Sequence, residues 1–252
     1  MTNPFGTEAM AAGYANARPP VHPHILKRAR PLLPVPVRRA LDVGCGAGLS
    51  TRALQGLAQL CIGMEPAEAM LPWAATVAPD CEFLVGAAES IPVATRSIDL
   101  MTAAGSLNYV DLDLFFREAS RVLTVQGVLV VYDFSPGKTI RQGADLEDWF
   151  SRFQERYPPP PSEARLLNPA ILAELDSGFR VRNHESFEVS LVLSPGFYLD
   201  YMMTETNVAF AVRNGVPEHE IRSWCEDTLG PLWGGREREV VFRSYLACMT
   251  PR

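Results

Sequence analysis

No Cys-x-x-Cys pair occurs among the five cysteines (Cys45, Cys61, Cys81, Cys225 and Cys248), and the four histidines are scattered. That leaves no zinc-spaced ligand set, and no metal site is expected. An odd cysteine count, with Cys61 and Cys248 inside apolar runs, predicts free thiols in a reducing, cytoplasmic setting. No run of about 18 apolar residues exists, which argues against a membrane-crossing helix. Met1–Gly13 lacks a basic segment followed by an apolar one, so no secretory leader is expected. Basic residues are in deficit, 23 Lys and Arg against 29 Asp and Glu for a net charge of −6, which weighs against nucleic-acid or anionic-membrane partners. Lys27, Arg28 and Arg30 with Arg38 and Arg39 form the one basic patch, read as a solvated helix face. Internal repeats are absent, and Pro158–Pro161 is the only low-complexity stretch.

What is present is ordinary in bulk and specific in one place. In 252 residues, 47% hydrophobic and 21% charged, there is material for a sizeable core. The specific place is Arg39-Ala40-Leu41-Asp42-Val43-Gly44-Cys45-Gly46-Ala47-Gly48, an apolar run ending in three glycines at alternate positions. A strand feeding a tight turn and then a helix has this form. The glycines clear Cβ atoms from a close backbone approach, and the unpaired N–H groups of a helix start suit a polar ligand group. The spacing Gly-x-Gly-x-Gly is not the Gly-x-Gly-x-x-Gly of dinucleotide sites.

Short apolar strands then alternate with amphipathic helices. Strands are predicted at Ala40–Val43, Leu60–Met64, Glu82–Val85, Ile98–Ala103 and Gly127–Phe134, and helices at Leu49–Gly56, Pro66–Val77 and Leu112–Leu123. The last helix is expected to bury Leu114, Phe115, Ala119, Val122 and Leu123. Residues 135–177 read as a polar, helical insertion with a helix at Asp145–Arg156. Strands at Phe179–Val192 and Glu239–Met249 flank helices at Pro195–Asn214 and Pro217–Leu229. The expected fold is α/β: a Rossmann-like, mostly parallel seven-stranded sheet with helices on both faces, the last strand antiparallel, plus a helical cap. At the N-terminus, a helical patch at Pro23–Ala29 follows a segment carrying Phe5, Tyr14 and Arg18, which either stays disordered or folds over the ligand as a lid.

Chemistry-bearing residues gather at the predicted strand ends. Glu65 stands about 20 positions after the glycines, where a carboxylate accepts from both hydroxyls of a ribose; as a lone residue it reads equally as a helix-start carboxylate. Past the third strand, Val85-Gly86-Ala87-Ala88-Glu89-Ser90-Ile91-Pro92 offers a small residue and a backbone N–H to an adenine edge. Beyond the fourth come Ala103-Ala104-Gly105-Ser106-Leu107-Asn108-Tyr109.

In this order the motifs closely resemble class I S-adenosylmethionine-dependent methyltransferases of the type 11/25 kind. Phe116-Arg117-Glu118-Ala119-Ser120-Arg121-Val122-Leu123 followed by Gly127-Val128-Leu129-Val130 is similar to that family's helix and fifth strand. The resemblance is strong over about residues 38–134 and loose beyond. Tyr14 with Arg18-Pro19 resembles the trans-aconitate methyltransferase subgroup. Three positions depart from the pattern: Ala87 stands where Asp is common, Asn108-Tyr109 replaces His-Trp, and Gln126-Gly127 replaces Gly-Gly.

The resemblance implies an enzyme with S-adenosyl-L-methionine as cofactor and S-adenosyl-L-homocysteine as product. Its cofactor residues would be Tyr14, Arg18, Asp42, Gly44, Cys45, Gly46, Gly48, Glu65, Pro66, Met70, Ala88, Glu89, Ile91, Ala104, Gly105 and Asn108. Tyr109, His22, Tyr198, Tyr201 and Glu205 are candidate bases, each read more readily as structural. The chain is expected to be one domain: a lid (1–37), a cofactor half (38–134), a cap (135–177) and substrate-side elements (178–252). The expected partner is a small-molecule acceptor, reached by a monomer or homodimer. The stripe Phe197, Tyr198, Tyr201, Met202, Met203 and Phe210 reads as core packing or as an acceptor pocket wall. A non-catalytic cofactor-binding module and a nucleotide-linked oxidoreductase stay open as alternatives.

Overall fold

The computed structural model describes residues 7–141, 143, 146–162 and 164–252. Phe5 and Asp145, invoked above, lie outside them. In chain order the helices are α1 (Glu8–Ala17), α2 (His22–Ala29), α3 (Leu49–Arg52), α4 (Leu71–Val77), α5 (Leu112–Val122), α6 (Glu147–Arg156), α7 (Pro169–Glu174), α8 (Pro195–Met203), α9 (Thr206–Arg213) and α10 (Glu218–Trp233). The strands are β1 (Arg39–Val43), β2 (Leu60–Glu65), β3 (Glu82–Val85), β4 (Ile98–Ala104), β5 (Leu123–Phe134), β6 (Thr139–Ile140), β7 (Phe179–Leu193) and β8 (Arg238–Pro251).

Strands β3, β2, β1, β4 and β5 lie side by side and parallel, as their short apolar runs predict. β8 runs antiparallel beside β5, and β7 pairs with the far edge of β8. The eighth strand, the two-residue β6, was not anticipated; it sits past the end of β5 on the same edge of β8. Neighbouring residues of one strand feed opposite cores, as the two-residue period requires. Ala40, Val130 and Cys248 belong to the core shared with α2, α6, α8 and α10, while Leu41, Leu129 and Ala247 belong to the core under α5 and α7.

Four local expectations change. The helix after the glycine turn holds for four residues and then tightens into i→i+3 bonds, Leu54 to Thr51 and Gln55 to Arg52, before Gly56 turns the chain at φ +79°. The segment from Pro66 begins with a 3₁₀ turn at Glu68–Met70. On α5, Phe116 faces the core, 5.3 Å from Phe179, whereas Leu114 is 39% exposed. The stretch Pro195–Asn214 is two helices, because the Thr204 hydroxyl donates to the Tyr201 carbonyl and Glu205 turns extended (ψ 147°).

The aromatic stripe divides accordingly. Tyr198 and Met202 are buried in the core, with Tyr198 4.7 Å from Trp233. Around them α6 and α10 stack Trp149 on Phe153 at 5.2 Å and on Trp224 at 5.8 Å, and the Trp149 indole N–H donates to Thr228. Trp149 is thus the joint between these two helices. Trp149→Ala is expected to lower unfolding free energy by about 3–5 kcal/mol, read from denaturant midpoints; a loss under about 1 kcal/mol would show that the stack carries little.

Candidate functional site

Successive parallel strands deliver their carboxyl ends to one edge of the sheet, and the order reverses between β1 and β4. Open α/β sheets bind ligands at such a switch point. A crevice of about 620 Å³ occupies it, reached by the glycine turn, the ends of β2, β4 and β5, α1, and the α8–α9 break.

The glycine turn is held more tightly than its sequence suggests. Gly44 and Cys45 donate to the Met64 carbonyl at 2.8 and 3.0 Å, Gly48 donates to Cys45, and Gly46 donates to the Glu65 carboxylate at 3.0 Å. These N–H groups, expected to face a ligand, are already taken. At Gly46 (φ +52°) a Cβ would meet nothing within 4 Å, so the backbone there fronts open crevice. Gly48 serves packing instead: at φ +87° its Cβ would lie 2.9 Å from the Ala74 backbone, and it does not line the crevice.

Asp42 is also corrected. It does not line the crevice but lies fully buried behind the turn, accepting from Ser50, Thr51 and Thr102 hydroxyls at 2.5, 2.8 and 2.7 Å. Burial raises its pKa despite those three bonds. Ile91 is likewise inside the structure, its N–H on Glu118 and its carbonyl on Arg121. The Tyr198 hydroxyl donates to Gly137 at 2.6 Å, away from the crevice, which removes it from the candidate bases. All other predicted cofactor residues line the crevice, as do Tyr109, His22, Tyr201 and Glu205.

Glu65 is the best-fixed lining carboxylate. Its two oxygens accept separately from Gly46 N–H and Ala67 N–H, both at 3.0 Å, and each keeps a further lone pair. Burial raises its pKa against the pull of these backbone donors. Glu89 accepts from the Asp111 N–H, holding the loop after β3 to the start of α5.

The N-terminal segment is helical and folded over the crevice. Thr7 caps α1, and Trp73 donates to Glu8 at 2.9 Å, tying α1 to α4. This brings Tyr14 and Arg18 to the α8–α9 break. Arg18 stacks on Tyr14 at 4.0 Å and Tyr201 at 5.2 Å, donates to the Thr204 carbonyl, and pairs with Glu205 at 3.3 Å. Burial opposes the Arg18 charge, but Tyr14 and Glu205 outweigh it and its pKa is raised. Its Nε–H is buried without an acceptor among the described residues.

Asp133, Ser106, Phe134 and Pro136 also line the crevice and were missed. The available signal for Asp133 was a single charge inside the apolar run of β5. Its oxygens accept from Phe134 N–H at 2.8 Å and Asn108 Nδ2 at 3.2 Å, and burial raises its pKa. Asn108 is itself gripped from behind, accepting from Arg165 and Leu167 N–H groups. Beside them His22 Nδ1 lies 3.0 Å from the Tyr132 hydroxyl, and burial, with Arg18 and Arg52 adding to it, pushes the imidazole down to about 4.

Residues 41–131 match the model of the methyltransferase domain family. An uncharacterized methyltransferase of Mycobacterium bovis is 32% identical over 129 residues, covering 51% of this chain and 51% of that protein. The demethylmenaquinone methyltransferase of Thermotoga maritima is 34% identical over 113 residues, covering 44% and 49% respectively. This chain thus spans about half the length of these curated relatives. A candidate type II methyltransferase from Anaeromyxobacter dehalogenans has the same fold, with a TM-score of 0.72 at 19% identity, covering 90% of this chain and 94% of that one. The resemblance to class I methyltransferases is borne out; none of these matches singles out the trans-aconitate-type subgroup.

The His22 environment gives a pH test. Its folded pKa of about 4 lies below the roughly 6.5 of an exposed imidazole. Between those values the unfolded chain binds the extra proton, so this residue's contribution to stability is present above pH 6.5 and is lost as pH falls towards 4. His22→Gln is expected to flatten that part of the stability–pH curve. Ring resonances that titrate near 6.5 in the wild type would contradict the buried, neutral imidazole.

Proposed function

We propose, on the premise that residues 41–131 form a methyltransferase domain, that the chain binds S-adenosyl-L-methionine in this crevice and passes its methyl group to a small-molecule acceptor. The observation that carries the reading is Glu65. Its carboxylate is pinned at the crevice by Gly46 and Ala67 with a lone pair free on each oxygen, the acceptor pattern that a ribose cis-diol completes. Two further features fit the same ligand. The space in front of Gly46 admits a close backbone approach, and the Arg18 guanidinium, which lines the crevice, suits the carboxylate of an amino-acid tail. The adenine edge is assigned to the Ala88 backbone and Glu89, which line the same crevice.

When bound, this cofactor supplies a methyl group on a sulfonium, already a good electrophile. The protein's share is then alignment and exclusion of water. Glu65 and the glycine turn fix one end of the crevice. Tyr14 on α1 and Arg18 just past its end are assigned to closing it, and Asn108, Asp133 and Phe134, which line the same crevice, to the acceptor's side.

Calorimetric titration tests this reading. S-adenosylhomocysteine is expected to bind the wild type, and Glu65→Ala to weaken it by about 30-fold or more, the scale of hydrogen bonds to a charged acceptor. Binding of NADH in its place, or an unchanged affinity in the variant, would remove the assignment.

A further inference from the structure

The charge facing the crevice is lopsided. Four carboxylates line it, Glu65, Glu89, Asp133 and Glu205, against one guanidinium, Arg18, among the described residues. Glu205 is paired with Arg18, Glu65 is held by two backbone N–H groups, and Glu89 holds the loop at Asp111. Asp133 differs from all three. Among the described residues no Lys or Arg pairs with it, and both of its hydrogen bonds come from neutral donors, the Asn108 amide and the Phe134 N–H. Neutral donors hold a carboxylate in place without cancelling its field, and in a half-buried crevice that field is only weakly screened. Rings surround the same space: Tyr109, Phe134, Tyr201 and the uncharged His22 all line it. Aromatic faces attract cations and offer nothing to an anion.

We propose that the methyl acceptor is an amine, held through its nitrogen by Asp133. This rests on the methyl-transfer reading above. An amine brings N–H donors for the lone pairs that Asn108 and Phe134 leave free, and in its ammonium form it supplies the missing positive charge. A carboxylate or phosphate acceptor would set a second anion beside an uncompensated one, with Arg18 engaged by Glu205 and Thr204 and, in the reading above, by the cofactor's own carboxylate. In the transfer, Asp133 first takes a proton from the bound ammonium and so frees the nitrogen lone pair. The nitrogen lone pair forms the new bond to the methyl carbon, and the pair of the broken carbon–sulfur bond stays on sulfur. Charge then balances as a methylated ammonium, neutral thioether and protonated Asp133, which returns its proton to solvent.

The test uses three matched probes titrated onto protein saturated with S-adenosylhomocysteine: 3-phenylpropylamine, 3-phenylpropanol and 3-phenylpropionic acid. The amine is expected to bind at least about tenfold tighter than the other two, the margin of a charge-assisted hydrogen bond over a neutral one. Asp133→Asn is expected to abolish that margin while S-adenosylhomocysteine affinity stays within about threefold, which also reports that the variant is folded. Asp133→Glu, which keeps the charge, is expected to retain a preference for the amine. If S-adenosylhomocysteine itself fails to bind the wild type, the methyl-transfer reading falls and takes this one with it. If it binds and the amine is no tighter than the alcohol and the acid, or is unaffected by Asp133→Asn, the amine assignment alone is overturned.

Discussion

A carboxylate set where water cannot reach it must be met by donors, and at Asp42 three hydroxyls meet it from three directions. Ser50 and Thr51 belong to α3 and Thr102 to β4, so this buried charge ties the first strand, the helix after the glycine turn and the neighbouring strand into one unit. Each bond to a charged acceptor contributes about 1.5–3 kcal/mol against a desolvation cost of several kcal/mol. The net is set by geometry, which explains why small hydroxyl side chains occupy the start of α3. With β1 and α3 locked, the loop between them has little freedom. Its N–H groups close onto Met64 and Glu65, and Glu65 is thereby aimed at the crevice. The part that lines the crevice is thus positioned by a carboxylate that does not reach it.

Legibility in the sequence followed the range of the interactions. Strands β1 to β5 and helix α5 were readable because each depends on local apolar patterning, and the glycine turn because its residues are consecutive. Glu65 was readable from its distance to that turn. Asp42 was misread for the opposite reason: a carboxylate beside glycines looks like a ligand group until its partners Ser50, Thr51 and Thr102 are seen around it. Tyr198 and Tyr201, three residues apart in one apolar stripe, parted ways, one bonding Gly137 in the core and the other reaching the crevice. No local pattern distinguishes them. Asp133 escaped notice because an apolar strand hides its single charge, and its meaning depends on Asn108, 25 positions away.

The break between α8 and α9 shows how a weak local preference becomes a working part. Thr204 turns its hydroxyl back onto Tyr201, the helix stops, and the Thr204 carbonyl and Glu205 carboxylate are left pointing outward. Arg18, at the end of α1, takes both. A continuous helix would have kept that carbonyl within its own ladder and left the N-terminal segment without this anchor. One guanidinium therefore joins two elements more than 180 residues apart, 186 positions separating Arg18 from Thr204.

The place of β8 carries a consequence for the order in which the molecule assembles. It lies between β5 and β7, bonded to β7 along nearly its whole length and to β5 over 244–249, yet it follows them in the chain. As the polypeptide leaves the ribosome, β5 and β7 must each wait with an open edge while the intervening helices are made. Such waiting edges are templates for the wrong partner. The long separation between these pairings also raises the contact order, which slows the closing step relative to the local βα units. The sheet's final strand is therefore its keystone in time as well as in space, and the cell's chaperones would meet this chain chiefly in the interval before it arrives.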